Sequence, residues 1–178
     1  MGNIKIRSAA AEDAEALAAI YAYYVEHTAV SFEYDAPTVE EFRRRIEKTL
    51  RRYPYLVLEE DGVIRGYAYA GPFKERDAYR FCCEPTVYID RNARGRGFGR
   101  MLYGALEEKL KEAGFRNLYV CIGDPDEEDE YLTRDSERFH RRMGFTKVGE
   151  FRRCGYKFGR WYNMIWMEKI IQAIGNRQ

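Results

Sequence analysis

A mixed α/β fold, with one twisted and mostly antiparallel sheet flanked by helices, is predicted by three features of this chain. Segments with strand and helix periodicity follow in the order β-α-α-β-β-β-α-β-α-β-β, too interleaved for an all-α or all-β domain. Asp61-Gly62 separates two apolar runs, 55–60 and 63–70, a strong hairpin signal that makes two neighbouring strands antiparallel. A glycine-rich turn at 95–99 then joins a strand directly to a helix, and the short apolar run 118–122 beyond that helix suits a buried parallel strand. The 178 residues contain no internal repeat and no linker-like stretch, so one domain over 1–178 is expected.

Taken in order, Ile4-Lys-Ile-Arg alternates as an opening strand. Ser8 precedes an acidic first turn, and Ala14, Leu17, Ala18, Tyr21 and Val25 repeat at helical spacing up to about His27. Residues 28–37 have no such repeat and end at Pro37, so they read as an ordered loop. Thr38 with Glu41 forms a capping box, and Phe42, Ile46 and Leu50 mark the inner face of a second helix whose arginines form a solvated face. After the hairpin, Gly71-Pro72 is expected to break the strand, residues 73–77 to form a polar loop, and Tyr79 onward to resume extended structure. Residues 86–89 are β-branched and aromatic, 101–111 helical, and Gly114 stops that helix. An acidic loop at 123–130 lacks EF-hand spacing and reads as solvated charge. A short helix at 133–142, a strand at 147–153, a loop at 155–161 and an aromatic last strand complete the chain.

Composition narrows the function. Thirty Lys plus Arg against 29 Asp plus Glu leave a charge of +1, which gives no general field for nucleic acid or an anionic membrane. Cys82, Cys83, Cys121 and Cys154 form neither a disulfide framework nor a metal-binding spacing, so reduced thiols and no metal are expected. No apolar run approaches a membrane span or a signal peptide, and a cytoplasmic protein is the expectation.

The chemistry centres on Glu84-Pro-Thr-Val-Tyr-Ile-Asp-Arg-Asn-Ala-Arg94-Gly-Arg-Gly-Phe-Gly99. Gly95, Gly97 and Gly99 let the backbone turn without a Cβ in the way, and the N-terminus of the following helix favours an anion such as phosphate. The Walker pattern is absent, and the glycine spacing is not that of a dinucleotide fingerprint. Arg94-x-x-Gly97-x-Gly99 after a Val-Tyr-Ile strand instead resembles the pyrophosphate loop of the GNAT superfamily, the acyl-CoA-dependent N-acetyltransferases. Three further stretches, Tyr79-Arg-Phe…Glu84-x-Thr-Val-Tyr, Ser136-x-x-Phe-His140-x-x-Met-Gly-Phe145 and Gly155-Tyr-Lys-Phe-Gly-Arg-Trp161, look like its phosphinothricin acetyltransferase group, which also acetylates methionine sulfone and sulfoximine. The resemblance covers nearly the whole chain.

What the resemblance implies can be stated residue by residue. The strand before the glycine loop and the strand after its helix would run parallel and splay apart to receive pantetheine. Val87, Tyr88 and Ile89 would offer backbone groups to that arm, and Arg94, Gly95, Arg96, Gly97, Phe98 and Gly99 would cradle the pyrophosphate of acetyl-CoA. Glu84 falls at the general base, and His140 at the position serving the departing thiol. Thr133 stands where members commonly carry a cofactor-binding Asn. Pro85 beside Glu84 would favour a bulge in the strand.

Acetyl transfer to an amine needs a base for the ammonium proton, which Glu84 could supply if burial raises its pKa, and an oxyanion donor, for which the Val87 N–H is the best candidate. The alternative for Glu84 is an ion pair with Arg80, and for His140 a packing role. Cys82 and Cys83 read as packing residues. For a small amino acid acceptor, Lys74 and Arg80 supply cations, while Phe32, Tyr34 and Phe73 supply walls. Fifteen Tyr and ten Phe make a homodimer plausible. Two other readings stay open, a different amine acceptor such as a polyamine, an antibiotic or a protein N-terminus, which the acidic loop would suit if cationic, and an acyl-CoA-binding module without catalysis.

Overall fold

The computed structural model describes residues 2–172. Its elements are β1 (Ile4–Ser8), α1 (Ala14–His27), α2 (Val39–Leu50), β2 (Tyr55–Glu60), β3 (Val63–Pro72), β4 (Cys82–Ile89), α3 (Phe98–Glu112), β5 (Asn117–Asp124), α4 (Asp135–Arg142), β6 (Thr146–Lys157) and β7 (Arg160–Ile170). The expected order is therefore observed. The strands form one seven-stranded sheet in the order β1-β2-β3-β4-β5-β7-β6, antiparallel throughout except for β4 and β5.

Strand alternation assigns the two faces. Leu56, Leu58, Ala68, Ala70, Cys83, Leu118 and Val120 bury against Leu102, Leu106 and Leu110 of α3. Tyr55, Val57 and Tyr67 bury on the opposite face against Leu17, Tyr21 and Val25 of α1 and Phe42 and Ile46 of α2. Asp61 (φ 52°) and Gly62 (φ 80°) both take the left-handed conformation that a two-residue hairpin turn demands.

Several local expectations are corrected. Leu50 is 39 % exposed, because eight residues of helix carry it about 80° around the axis from Phe42. The capping box is half formed: Thr38 Oγ1 accepts from Glu41 N, whereas the Glu41 carboxylate is taken by Arg45. Gly71 and Pro72 remain in β3, paired with Glu84 and Cys83. Pro72 is tolerated there because its missing N–H faces the side on which β2 has already ended, at the Tyr55–Tyr69 pair. Tyr79 sits in a 3-10 turn over Asp77–Tyr79, so extended structure resumes only at Cys82. Residues 155–161, expected as a loop, are the tip of the β6–β7 hairpin, with Phe158 (φ 52°) and Gly159 (φ 75°) as its turn. Phe158 replaces the usual small polar residue and stacks on Tyr131 with centroids 4.2 Å apart.

Candidate active site

β4 and β5 pair only at Cys82–Asn117 and Cys83–Leu118, then separate. The direction of each backbone group in β4 follows from the ladder. Ala70 N donates to Pro54 O on the β2 side, so its partner Pro85 turns its backbone away from β3, and Val87 and Ile89 do the same. The N–H of Val87 therefore points into the gap that β5 has left. Pro85 removes a donor where no ladder partner waits, which is how a proline persists in a central strand. The β3–β4 register is unbroken, so the expected bulge beside Glu84 is absent, and the splay itself exposes the backbone. Ile89 O is not free, because Tyr24 Oη donates to it at 2.5 Å. Tyr88 packs edge-on against Tyr21 and Tyr24 and its backbone faces β3, paired with Tyr67, so it offers the gap neither the side chain nor the main-chain groups that the resemblance implied.

The glycine loop closes one end of this gap. Gly95 (φ 75°) and Gly97 (φ 83°) take conformations disfavoured for other residues, and a Cβ at either would meet nothing within 4 Å, so the backbone lies open. Gly97 is the N-cap of α3 and no side chain caps it, which leaves the first-turn amides available to an anion. Gly99 packs against Phe139 and Ile89 instead. Phe98 is buried beneath the loop. The arginines divide: Arg94 is exposed and lies over the Tyr24 ring at 5.2 Å, whereas Arg96 forms a double hydrogen bond to Glu60 and stacks on Phe98. The Arg96 guanidinium is thus turned from the cradle that its position in the loop suggested.

Glu84 lies at the start of the splay, paired in the ladder with Gly71. No described side chain forms a salt bridge with it, and Arg80 is stacked on Phe81 at 4.6 Å, so the alternative ion pair is not formed. Burial raises the Glu84 pKa, and the nearby Lys74 ammonium opposes that rise. Lys74 stands over the rings of Phe73 (5.1 Å) and Trp166 (5.7 Å), and Phe73 stacks on Tyr119 at 4.2 Å. Beside Glu84 opens a cavity of about 540 Å³ whose lining includes Gly71, Lys74, Arg80, Tyr69, Tyr21 and Glu33. Arg45, Lys48, Arg52 and Arg76 add cations to its wall, against the carboxylates Glu33, Glu75 and Asp77. Arg45 is committed to Glu33 and Glu41.

Three other expected acceptor residues lie outside that lining: Phe73, packed on Tyr119 and Trp166, and Phe32 and Tyr34. Phe32 stacks on Tyr162 with centroids 6.4 Å apart, and Tyr34, 66 % exposed, donates to the Tyr156 carbonyl. Both meet the β6–β7 hairpin and neither lines the cavity. Tyr21, Glu33, Arg45 and Tyr69 were not singled out from sequence. Period-two alternation places Tyr69 on the same face as Tyr67, and that was the readable signal.

His140 is 6 % exposed, ringed by Tyr103, Phe139 and Phe145 at centroid distances of 5.1–5.4 Å. Its Nδ1 lies 2.8 Å from Ser136 O, and since a carbonyl only accepts, the proton is on Nδ1. Burial lowers its pKa to about 4. A neutral imidazole protonated at Nδ1 has only an acceptor at Nε2, which fits the packing alternative for His140 in this state. The unfolded imidazole takes up a proton below its ordinary 6.5 while the folded one stays neutral down to about 4. Stability is therefore expected to fall on acidification through that window by roughly 3 kcal/mol, read as ΔG of unfolding against pH, and the fall should flatten in His140→Gln. Thr133 Oγ1 accepts from Asp135 N at 3.4 Å, at the start of α4.

The acidic loop is both solvated and knit, with Asp126, Glu127, Glu128 and Glu130 exposed. Asp124 pairs with Arg134, Glu128 with Arg138, and Asp129 and Glu130 with Arg160, while Asn163 donates to Asp126. No group of metal-ligating side chains occurs among the described residues.

A splayed parallel pair closed by an uncapped glycine loop, with a half-buried carboxylate at its edge, is the arrangement expected of an acyltransferase of the GNAT kind. Residues 6–166 match the acetyltransferase (GNAT) domain, and the chain belongs to that family of N-acetyltransferases. It is 36 % identical to a phosphinothricin N-acetyltransferase of Streptomyces viridochromogenes, over 90 % of this chain and 84 % of the relative. It is 32 % identical to the L-methionine sulfoximine/L-methionine sulfone acetyltransferase of Salmonella typhimurium, over 92 % of each. The crystal structure of a phosphinothricin acetyltransferase from Sinorhizobium meliloti in complex with acetyl-CoA superposes with a TM-score of 0.86 at 32 % identity, covering 94 % of this chain and 88 % of that one.

Proposed function

We propose that this protein transfers the acetyl group of acetyl-CoA to the α-amino group of a small amino acid or analogue, by direct transfer in a ternary complex. The observation that carries this is Glu84, a carboxylate with no salt bridge among the described residues, raised in pKa by burial, at the start of the β4–β5 splay and paired in the ladder with Gly71 of the cation-rich cavity's wall. The open glycine cradle and the inward Val87 N–H fit a nucleotide thioester, as do the relatives solved with acetyl-CoA. Acetyl-CoA, when bound, supplies an activated acetyl thioester. Glu84 takes the ammonium proton so that the nitrogen lone pair can form the N–C bond as the C–S bond breaks, and Val87 N–H donates to the carbonyl oxygen. The departing thiolate, with an ordinary thiol pKa near 8.5, needs no protein acid near neutral pH. The cysteines need carry no acetyl group.

An acceptor with a carboxylate and a second anionic or strongly polar group suits the cations of the cavity, and phosphinothricin, methionine sulfone and methionine sulfoximine are of that form. A cationic amine is less well served, because the acidic loop that would attract it does not line the cavity, and four of its six carboxylates are paired with Arg134, Arg138 and Arg160. Initial rates of thiol release with these amino acids beside polyamines and aminoglycosides test the reading. Turnover is expected with the amino acids, and turnover only with the cationic amines would overturn the substrate class. Four free thiols support a reducing compartment such as the cytoplasm. Exposed Phe151, Tyr156 and Trp161 on the edge hairpin support a homodimer. Light scattering is expected to give twice the chain mass, and Trp161→Glu to shift it toward one.

A further inference from the structure

The β6–β7 hairpin carries a lysine that the proposed chemistry does not use. Lys157 is 2 % exposed, and its Nζ donates to the carbonyls of Val25 (2.7 Å), Thr28 (3.0 Å) and Ser31 (2.7 Å). An ammonium has three N–H donors, and all three are used on backbone. Val25 and Thr28 belong to the last turn and cap of α1, where carbonyls lack helical partners and favour a cation. Ser31 extends the grip into the segment between α1 and α2. Burial lowers the Lys157 pKa, and Glu33 is the charge that opposes it.

Two more contacts bind the same hairpin to the same segment. The Phe32 ring covers Gly155, where a Cβ would run into it, and Tyr34 donates to Tyr156 O. The far side of the segment faces the cavity. Ser31 Oγ and Tyr21 Oη share a hydrogen bond of 2.8 Å, and Glu33 accepts from Tyr21 Oη at 3.1 Å and from Arg45 at 2.8 Å. Tyr21, Glu33 and Arg45 are lining residues.

We infer that Lys157 is a positioning residue of the acceptor site, holding residues 28–34 to the end of α1 through the Val25, Thr28 and Ser31 carbonyls and so fixing the wall formed by Tyr21, Glu33 and Arg45. This rests on the reading of the cavity as the acceptor site. Lys157→Met keeps most of the stem and removes every donor. The acceptor KM is expected to rise about tenfold or more, as loss of charged hydrogen bonds implies, with the acetyl-CoA KM within about twofold. A merely structural role would lower kcat through the active fraction and leave both KM values unchanged. That result, or equal rises in both, overturns the inference. If the variant does not fold, Tyr34→Phe carries the test, since it removes one exposed tether: a several-fold rise in acceptor KM supports the clamp, and no rise overturns it. If the unaltered protein turns over no amino acid, the acceptor reading fails by itself, and hydrogen exchange then decides the anchor. Faster exchange at amides 29–33, with α3 unchanged, supports it in either variant, and unchanged protection overturns it.

Discussion

Glu84→Gln is expected to lower kcat by about 10²–10⁴-fold, the range over which a positioned general base accelerates proton transfer. Acetyl-CoA affinity should be unchanged, because the side chain alternates away from the face that carries Val87. Stability separates this from damage to the fold. The folded Glu84 pKa lies above its ordinary 4.5, so near neutral pH the folded protein bears the desolvation of an ionised carboxylate that the unfolded chain does not. Removing that charge is expected to leave Tm unchanged or raise it. A slow variant with an undiminished Tm marks a catalytic group, whereas activity and Tm falling together would make Glu84 a structural strand residue. Acetyl-CoA binding with activity unaltered by the substitution would favour another base.

Gly97→Val is the second large effect. At φ 83° a β-branched residue is held where its side chain meets its own backbone, costing roughly 1–2 kcal/mol. Its side chain would also enter the open space over the uncapped amides of α3. Calorimetric titration with acetyl-CoA is expected to show Kd raised by more than about tenfold. Arg96→Met is the matched control. Its guanidinium is on Glu60, so Kd should move little although the neighbouring carboxylate loses its partner. If Arg96→Met weakened binding as much as Gly97→Val, the side chain would have to leave Glu60 when cofactor binds.

Local signals carried much of this fold. Element order, the Asp61-Gly62 turn, the glycine loop and the position of Glu84 follow from periodicity, turn chemistry and family resemblance. What the sequence concealed are pairings made across the fold. Arg96 reads as a loop cation until Glu60, 36 residues earlier, is brought beneath it. Asp129 and Glu130 read as unpaired charge until Arg160 crosses from the far hairpin. Lys157 reads as part of a loop, and only the β6–β7 turn at Phe158-Gly159 buries it under carbonyls 126–132 residues away. His140 is legible by motif, but its protonation depends on the Tyr103, Phe139 and Phe145 cage, which spacing does not reveal.

The pH dependence of kcat with both substrates saturating tests the role of Glu84 most directly. An acid limb is expected above the ordinary glutamate value, because activity requires the ionised carboxylate and burial holds its pKa up. Lys74 opposes that rise, so the limb should move to higher pH in Lys74→Met and disappear in Glu84→Gln. A limb that stays in place in Lys74→Met and survives in Glu84→Gln would assign proton removal to another group and contradict the mechanism.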